Sequence, residues 1–120
     1  MGQSYRDLIA WQKAMDFVMD VYGVTRLFPR DEVYGLASQL RRAAVLIPTN
    51  IAEGQARYSA QDFHFFLGRA RGSLVEVETQ LMIARNLTYI TAEQGDKILE
   101  KAAELGRILN GLIGSIRPAA

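Results

Sequence analysis

The side chains that could act as nucleophiles, acid–base groups or metal ligands are few in this chain. Cysteine is absent, which excludes disulfides, thiolate metal sites and a cysteine nucleophile. His64 is the only histidine, so a cluster of histidine ligands is excluded and a Ser-His-Asp arrangement would have to use it. Glu76 and Glu78 leave one helix in different directions, whereas a catalytic pair needs opposed carboxylates. These residues predict no catalytic site, no metal, no cofactor and no enzyme activity.

Arginine is the side chain best represented among those that could bind a partner. Eleven of the 14 basic residues are arginine, whose planar guanidinium makes bidentate and stacking contacts that lysine does not make. At helical spacing Arg41 projects about 120° from the core positions, so we expect it to reach solvent or a partner. With 13 acidic residues the net charge is only +1, so the arginines could equally form a solvated surface. The candidates for contact with RNA or single-stranded DNA are Arg41, Arg57, Arg69 and Arg71, with Tyr58 for stacking.

Further polar side chains follow the edges of the predicted core on the second and third helical segments. They can be interpreted as a cleft for a ligand or nucleic acid. We favour a structural network in which Arg42 pairs with Glu53 or Glu76, because partly buried polar groups generally find partners. The members of this polar network are Gln39, Arg42, Asn50, Glu53, Ser73 and Glu76, bordered by Arg69 and Gln80.

Helices must position these residues, because the apolar spacing is helical and no segment alternates as a strand does. Breaks at 28–31, 54–59 and 86–91 divide the chain into four segments. We expect helices at about 5 to 27, 31 to 56, 60 to 86 and 92 to 117. Each begins at a capping signature: Ser4 with Asp7, Asp31 after Pro29, Ser59 with Asp62, and Thr91 with Gln94.

The apolar residues of the third segment step by four and three in a heptad pattern. Such spacing favours helices packed about 20° from parallel, and short connections make neighbouring helices antiparallel. The pattern predicts an all-α, antiparallel up-down four-helix bundle, formed as one domain by residues 1–120. Pro48 predicts a kink in the second helix or a split into two helices. The seam residues are Phe63, Leu67, Ala70, Leu74, Val77, Leu81 and Ala84.

Two blocks of sequence carry a family resemblance. YGLASQLRRAA (34–44) with IPTNIAEG (47–54), and FLGRARGSLVEVETQL (66–81), resemble the four helix bundle protein family, also called the 23S rRNA intervening sequence protein family. The resemblance implies an up-down bundle that assembles into a ring-like pentamer and has no assigned enzymatic activity. The chain is also similar to the accessory protein of diversity-generating retroelements, which implies nucleic acid and a reverse transcriptase as partners.

The helices carry more apolar surface than one four-helix core hides, which predicts a homo-oligomer. The third helix has an apolar face opposite its heptad seam, and the first helix has two apolar lines. Symmetry alone favours a dimer, so five subunits follow from the resemblance only. An adaptor that binds proteins and no nucleic acid is the alternative function. The candidate interface residues are Phe17, Val21, Val24, Phe28, Phe65, Gly68, Gly72 and Ile83.

The chain shows no sign of a membrane segment. Its first residues lack the basic and apolar stretches of a secretory signal. Its longest apolar run, 43–48, is far shorter than the roughly 18 residues of a membrane span. We therefore expect a cytoplasmic protein with no membrane partner.

Overall fold

The computed structural model describes residues 4–116, which contain helices and no strand. Short one-turn 3-10 helices, Tyr5–Asp7 and Arg30–Glu32, precede the first and second α-helices. The four α-helices are α1 (Ile9–Thr25), α2 (Leu36–Ala56), α3 (Ala60–Asn86) and α4 (Ala92–Ser115).

The helices pack as an elongated square bundle of 47 × 23 × 23 Å. Within the described residues, α1 and α3 each pack against both α2 and α4, while the Cα atoms of α1 and α3 stay more than 8 Å apart. Gln39 near the start of α2 bonds Gln80 near the end of α3, and Arg71 early in α3 bonds Asn110 late in α4. These pairs show antiparallel neighbours, so the predicted four-helix bundle is confirmed.

The predicted heptad seam of α3 lies in the core. Leu67, Leu74 and Leu81 are almost fully buried, and they meet Leu40 and Ile47 of α2 in one apolar cluster with residues of α1 and α4. Phe63, at the start of the seam, is only partly buried. The core therefore forms where the 3.5-residue spacing predicted it.

The caps of α3 and α4 are those expected from the sequence. The Ser59 hydroxyl accepts a hydrogen bond from the Asp62 amide at 3.2 Å. Thr91 and Gln94 form a reciprocal capping box, with bonds of 2.9 and 3.0 Å. The bounds of α3 match the prediction, and residue 117, the predicted end of α4, lies outside the described residues.

The first two helices begin later than predicted. Extended backbone at Leu8 separates the turn capped by Ser4 from α1. The expected cap at Asp31 is wrong, because Asp31 lies within a 3-10 turn and α2 begins only after Gly35. Helix α2 then runs without interruption through Pro48, so it is not split. The kink at Pro48 stays a prediction.

Glu32 provides the cap that α2 needs. Its carboxylate accepts hydrogen bonds from the Leu36 amide at 2.9 Å and from the Tyr89 hydroxyl at 2.7 Å. These bonds lower the pKa of Glu32, the amide bond contributing most, and the bond to Glu32 raises the pKa of Tyr89. The Tyr89 ring also lies 5.5 Å from that of Phe28, between centroids. One carboxylate thus joins the start of α2 to the connection between α3 and α4.

A membrane-spanning segment is not found among the described helices, since none combines the necessary length with the necessary apolar character.

Candidate functional site

Arg41, expected to reach solvent or a partner, is partly buried. Its Nε donates a hydrogen bond of 2.8 Å to the Thr25 hydroxyl, and its guanidinium lies 4.8 Å from the centre of the Tyr22 ring. Both partners belong to α1, so the side chain turns sideways from α2 across the helix pair. Helical spacing gives the direction from one axis only, while the neighbouring helix supplies an acceptor and a ring. Contact of Arg41 with a partner stays a prediction.

Arg57 and Arg69 share one aromatic pair. The Arg57 guanidinium lies 4.8 Å from the centre of the Phe66 ring, and that of Arg69 lies 5.9 Å from both the Phe65 and Phe66 rings. Arg57 also pairs with Glu53 at 3.3 Å, on the exposed surface. Two of the four candidate arginines are therefore neighbours at the end of the bundle where α2 passes into α3.

Arg71 lies elsewhere. It faces α4, where its Nη1 donates to the Asn110 side chain at 3.2 Å. The four predicted arginines therefore occupy three separate places: the α1–α2 side, the α2–α3 connection and the α3–α4 side. They do not form one continuous basic patch.

The predicted polar network is present only in part. The buried Gln80 amide donates to Gln39 at 3.4 Å and to Glu76 at 3.3 Å, and the buried Asn50 donates to the Leu46 carbonyl at 2.8 Å. The Gln80 carbonyl oxygen is buried without a hydrogen-bond partner.

The remaining members of the network are not joined to it. Among residues 4–116, Arg42 makes no ion pair with Glu53 or Glu76, so that pairing was wrong. Arg42 lies exposed, and Glu53 is instead paired with Arg57 one turn away. Ser73 is half-buried, on the side of α3 that carries Glu76 and Gln80. An ion pair between residues one turn apart on the same helix competes well with a pair between two helices, because it does not depend on the distance between the helices.

The interface residues predicted on the first helix are mostly core residues. Phe17, Val21 and Phe28 are buried in the monomer, so their assignment to an outer face was wrong. Val24 is partly buried and packs against the same core. The apolar arc of this helix exceeds half its circumference, so spacing alone could not decide which line faces inward.

The interface residues predicted on the third helix do lie outside. Phe65 and Ile83 are exposed, and a Cβ added at Gly68 or Gly72 would meet nothing within 4 Å. Between them the outward positions step by three and four, as the core seam does. This outer α3 stripe consists of Phe65, Gly68, Gly72, Val75, Thr79 and Met82, all of them exposed.

A groove not recognised in the sequence lies between α1 and the first half of α2. Arg41 and Arg42 line it together with Tyr34, a residue that is 95% exposed. Its apolar wall is formed by Val33, Val45 and Leu46, its remaining lining by Tyr22 and Ser38. The adjacent pair of arginines was visible in the sequence, but the Tyr34 ring beside it depends on the turn before α2.

No group of three or more His, Cys, Asp or Glu side chains in the described part of the chain is arranged to hold a metal ion. His64 lies exposed near the start of α3.

This is a helical bundle with stacked arginines and an apolar outer stripe. Residues 6–111 match the family described as 23S rRNA-intervening sequence protein, and the chain belongs to this family. The resemblance carried by the two sequence blocks is thereby confirmed. No functionally curated protein matches the chain significantly.

A solved structure shares the fold. It is a crystal structure of a protein with unknown function from the S23 ribosomal protein family of Bacteroides thetaiotaomicron. The two chains superimpose with a TM-score of 0.82 at 23% sequence identity, over 89% of this chain and 100% of the other. At this identity the likeness speaks for the architecture alone.

Proposed function

We propose that the protein is a non-catalytic, homo-oligomeric scaffold of the cytoplasm, in which the outer α3 stripe contacts a neighbouring copy. The exposed apolar side chains of this stripe carry the proposal. Phe65 is 58% exposed and Val75 is 55% exposed, and both belong to a series with the spacing of a helix-packing seam. An exposed apolar seam of this kind is typical of a protein contact.

Helix α4 provides an internal comparison. Within the described residues, every large exposed hydrophobic side chain lies on α1, α2, α3 or their connections, and none lies on α4. Half of the exposed residues of α4 are charged and the others are polar or small, as expected for a helix facing water. The contrast supports a covered face on α3. Those charged residues include Glu93, Lys97, Glu100, Glu104 and Arg107.

A second exposed apolar face lies on α1, at Met15 and Met19. Because α1 and α3 are diagonal in the bundle, their outward faces point in opposite directions. Two different faces on opposite sides favour head-to-tail contacts, which close into a ring when the rotation permits. The family resemblance suggests that the ring has five subunits.

Light scattering on a sizing column tests assembly. We expect a mass several times the 13.4 kDa of one chain at micromolar concentration, and the monomer mass for Gly72→Glu, which places a charge in the stripe. Gly111→Glu is the matched control on α4, since neither glycine has an atom within 4 Å of an added Cβ. A monomeric wild type, or equal masses for the two variants, would contradict the proposal.

Contact with RNA or single-stranded DNA is the second part of the proposal. The guanidinium groups of Arg41, Arg57 and Arg69 lie over aromatic rings. This arrangement supports them as planar cations that could stack on bases and pair with phosphates. The alternative partner is a protein, such as the reverse transcriptase suggested by the resemblance.

Binding to a labelled single strand of RNA or DNA, measured at increasing salt concentration, distinguishes a nucleic-acid partner from a protein partner. Phosphate contacts predict affinity that falls steeply as salt rises. They also predict nucleic acid absorbing at 260 nm in protein purified at low salt. Reversal of Arg57 and Arg71 to glutamate should weaken binding without changing the helical signal in circular dichroism. If the wild type binds no single strand at low salt, the scaffold has a protein partner instead.

A further inference from the structure

We propose that the groove between α1 and α2 binds one nucleotide unit, with Arg41 as the phosphate ligand and Tyr34 as the surface for the base. This inference rests on the nucleic-acid contact of the proposed function, and it names the ligand chemistry and the residues. The shared chemistry is a phosphate attached to an aromatic heterocycle, whether free or within a single strand.

Arg41 is held in place before any ligand arrives. The Thr25 hydroxyl that accepts from its Nε is itself fixed, because Thr25 is only 3% exposed and donates to the Val21 carbonyl at 2.9 Å. The Tyr22 ring lies on one face of the guanidinium. Among the described residues no acceptor is bonded to either terminal nitrogen of Arg41. A guanidinium oriented in this way offers its free edge to two oxygens of one phosphate without losing side-chain freedom on binding.

The charge of the groove is not neutralised locally. Arg41 and Arg42 both line it, and no carboxylate does. Arg42 forms no ion pair within residues 4–116, and the exposed Ser38 can donate a further hydrogen bond. Two unpaired guanidinium groups beside a hydroxyl donor are complementary to a phosphate.

The rest of the groove fits an aromatic body better than an acidic peptide. Tyr34 is 95% exposed, and the apolar wall at Val45 and Leu46 continues beside it. An aspartate or glutamate side chain would pair with the arginines, but it would leave the Tyr34 ring and the apolar wall exposed to solvent. A base can cover both, since its faces stack on aromatic side chains. The groove volume of about 480 Å³ falls within the roughly 300–1,000 Å³ of small-ligand sites.

Titration calorimetry tests the inference by comparing a whole nucleotide with its phosphate and nucleoside parts. The probes are adenosine 5′-monophosphate, inorganic phosphate, adenosine, and a single-stranded oligoadenylate of about eight nucleotides. We expect the monophosphate to bind more tightly than either half alone. Arg41→Gln should weaken its binding about ten- to hundredfold, the usual effect of losing hydrogen bonds to a charged group.

Two further variants separate a built site from general attraction. Thr25→Val keeps every charge but removes the hydroxyl that orients Arg41, and should weaken binding about three- to tenfold. Arg107→Gln removes one charge from the outward face of α4 and should change affinity less than about twofold. Circular dichroism melts and light scattering must show that all variants remain folded and assembled.

Each outcome bears on the inference. Similar affinity for monophosphate and oligoadenylate supports a free nucleotide as the ligand, and much tighter oligoadenylate binding supports a unit of a strand. Equal losses for Arg41→Gln and Arg107→Gln overturn the groove while leaving nucleic-acid contact intact. Wild-type affinity for Thr25→Val overturns the orienting role, and equal affinity for an oligoglutamate peptide overturns the nucleotide. If no probe binds, both the nucleotide site in the groove and the proposed nucleic-acid contact are disproved. Light scattering still tests the homo-oligomeric scaffold independently.

Discussion

At the scale of single residues, Glu32 makes the stability of the protein depend on pH. Its ionised carboxylate accepts from the Leu36 amide and the Tyr89 hydroxyl, which lowers the pKa of Glu32 in the folded state. The resulting stabilisation is present above the ordinary glutamate pKa and is lost as pH falls through the lower, folded-state pKa. Tyr89 has the opposite sign: its raised pKa means that its contribution is present below the ordinary tyrosine pKa and is lost as pH rises through the raised value.

We therefore expect Glu32→Gln to lower the melting temperature at about pH 7, and we expect the difference from wild type to shrink as the pH falls through the lowered pKa of Glu32, where the wild-type carboxyl also becomes protonated. Tyr89→Phe should also lower the melting temperature at about pH 7, because it removes the hydroxyl that donates to the Glu32 carboxylate. Glu100→Gln, on the outward face of α4, is the control. A difference between wild type and Glu32→Gln that stays constant as the pH falls through the pKa of Glu32 would show that the carboxylate charge does not act through this cap.

Gly35 keeps room for the same carboxylate. A Cβ built there would lie 2.5 Å from the Glu32 Oε1 atom. Gly35→Ala should therefore lower the melting temperature. If the loss arises from displacement of Glu32, Gly35→Ala should have little further effect in a Glu32→Gln background, which a double-mutant cycle measures. Full additivity of the two changes would disprove this link.

At the scale of helices, the sequence predicted most where the pattern lies within one helix. The seam of α3 and the caps at Ser59 and Thr91 were found as expected, because each depends on spacing within a few residues. Helix α1 was different, since apolar residues surround more than half of it and only packing against α2 and α4 selects the buried line. For the same reason the Thr25 contact of Arg41 could not be foreseen: it joins residues from two helices.

Helices α2 and α3 approach each other closely at Gly54, where a Cβ would lie 2.7 Å from Phe66 Cβ and 3.1 Å from Phe63 Cδ1. Gly54→Ala should destabilise the protein by about 1–3 kcal/mol through overpacking, reduced by the roughly 1 kcal/mol that alanine gains as a helix former. Gly111→Ala, with open space around it, should be neutral or slightly stabilising. Urea unfolding of the two variants checks the contrast, and equal stabilities would show that the helices separate freely at Gly54.

At the scale of the whole molecule, the two exposed apolar faces lie on diagonal helices, which decides how copies can join. A contact between the α3 face of one copy and the α1 face of the next leaves one free face at each end. A contact between two α3 faces would instead be symmetric and stop at a dimer. The two arrangements predict different behaviour when variants with one blocked face are mixed.

Gly72→Glu blocks the α3 face and Met19→Glu blocks the α1 face, both at exposed positions. For a head-to-tail contact, each variant alone should have the mass of one 13.4 kDa chain. Their mixture should form a one-to-one complex, because the intact α3 face of the Met19→Glu chain meets the intact α1 face of the Gly72→Glu chain. That complex cannot grow, since both remaining faces carry the added charge. If Met19→Glu alone forms dimers and mixing adds nothing, the contact is symmetric through α3 and the ring is ruled out.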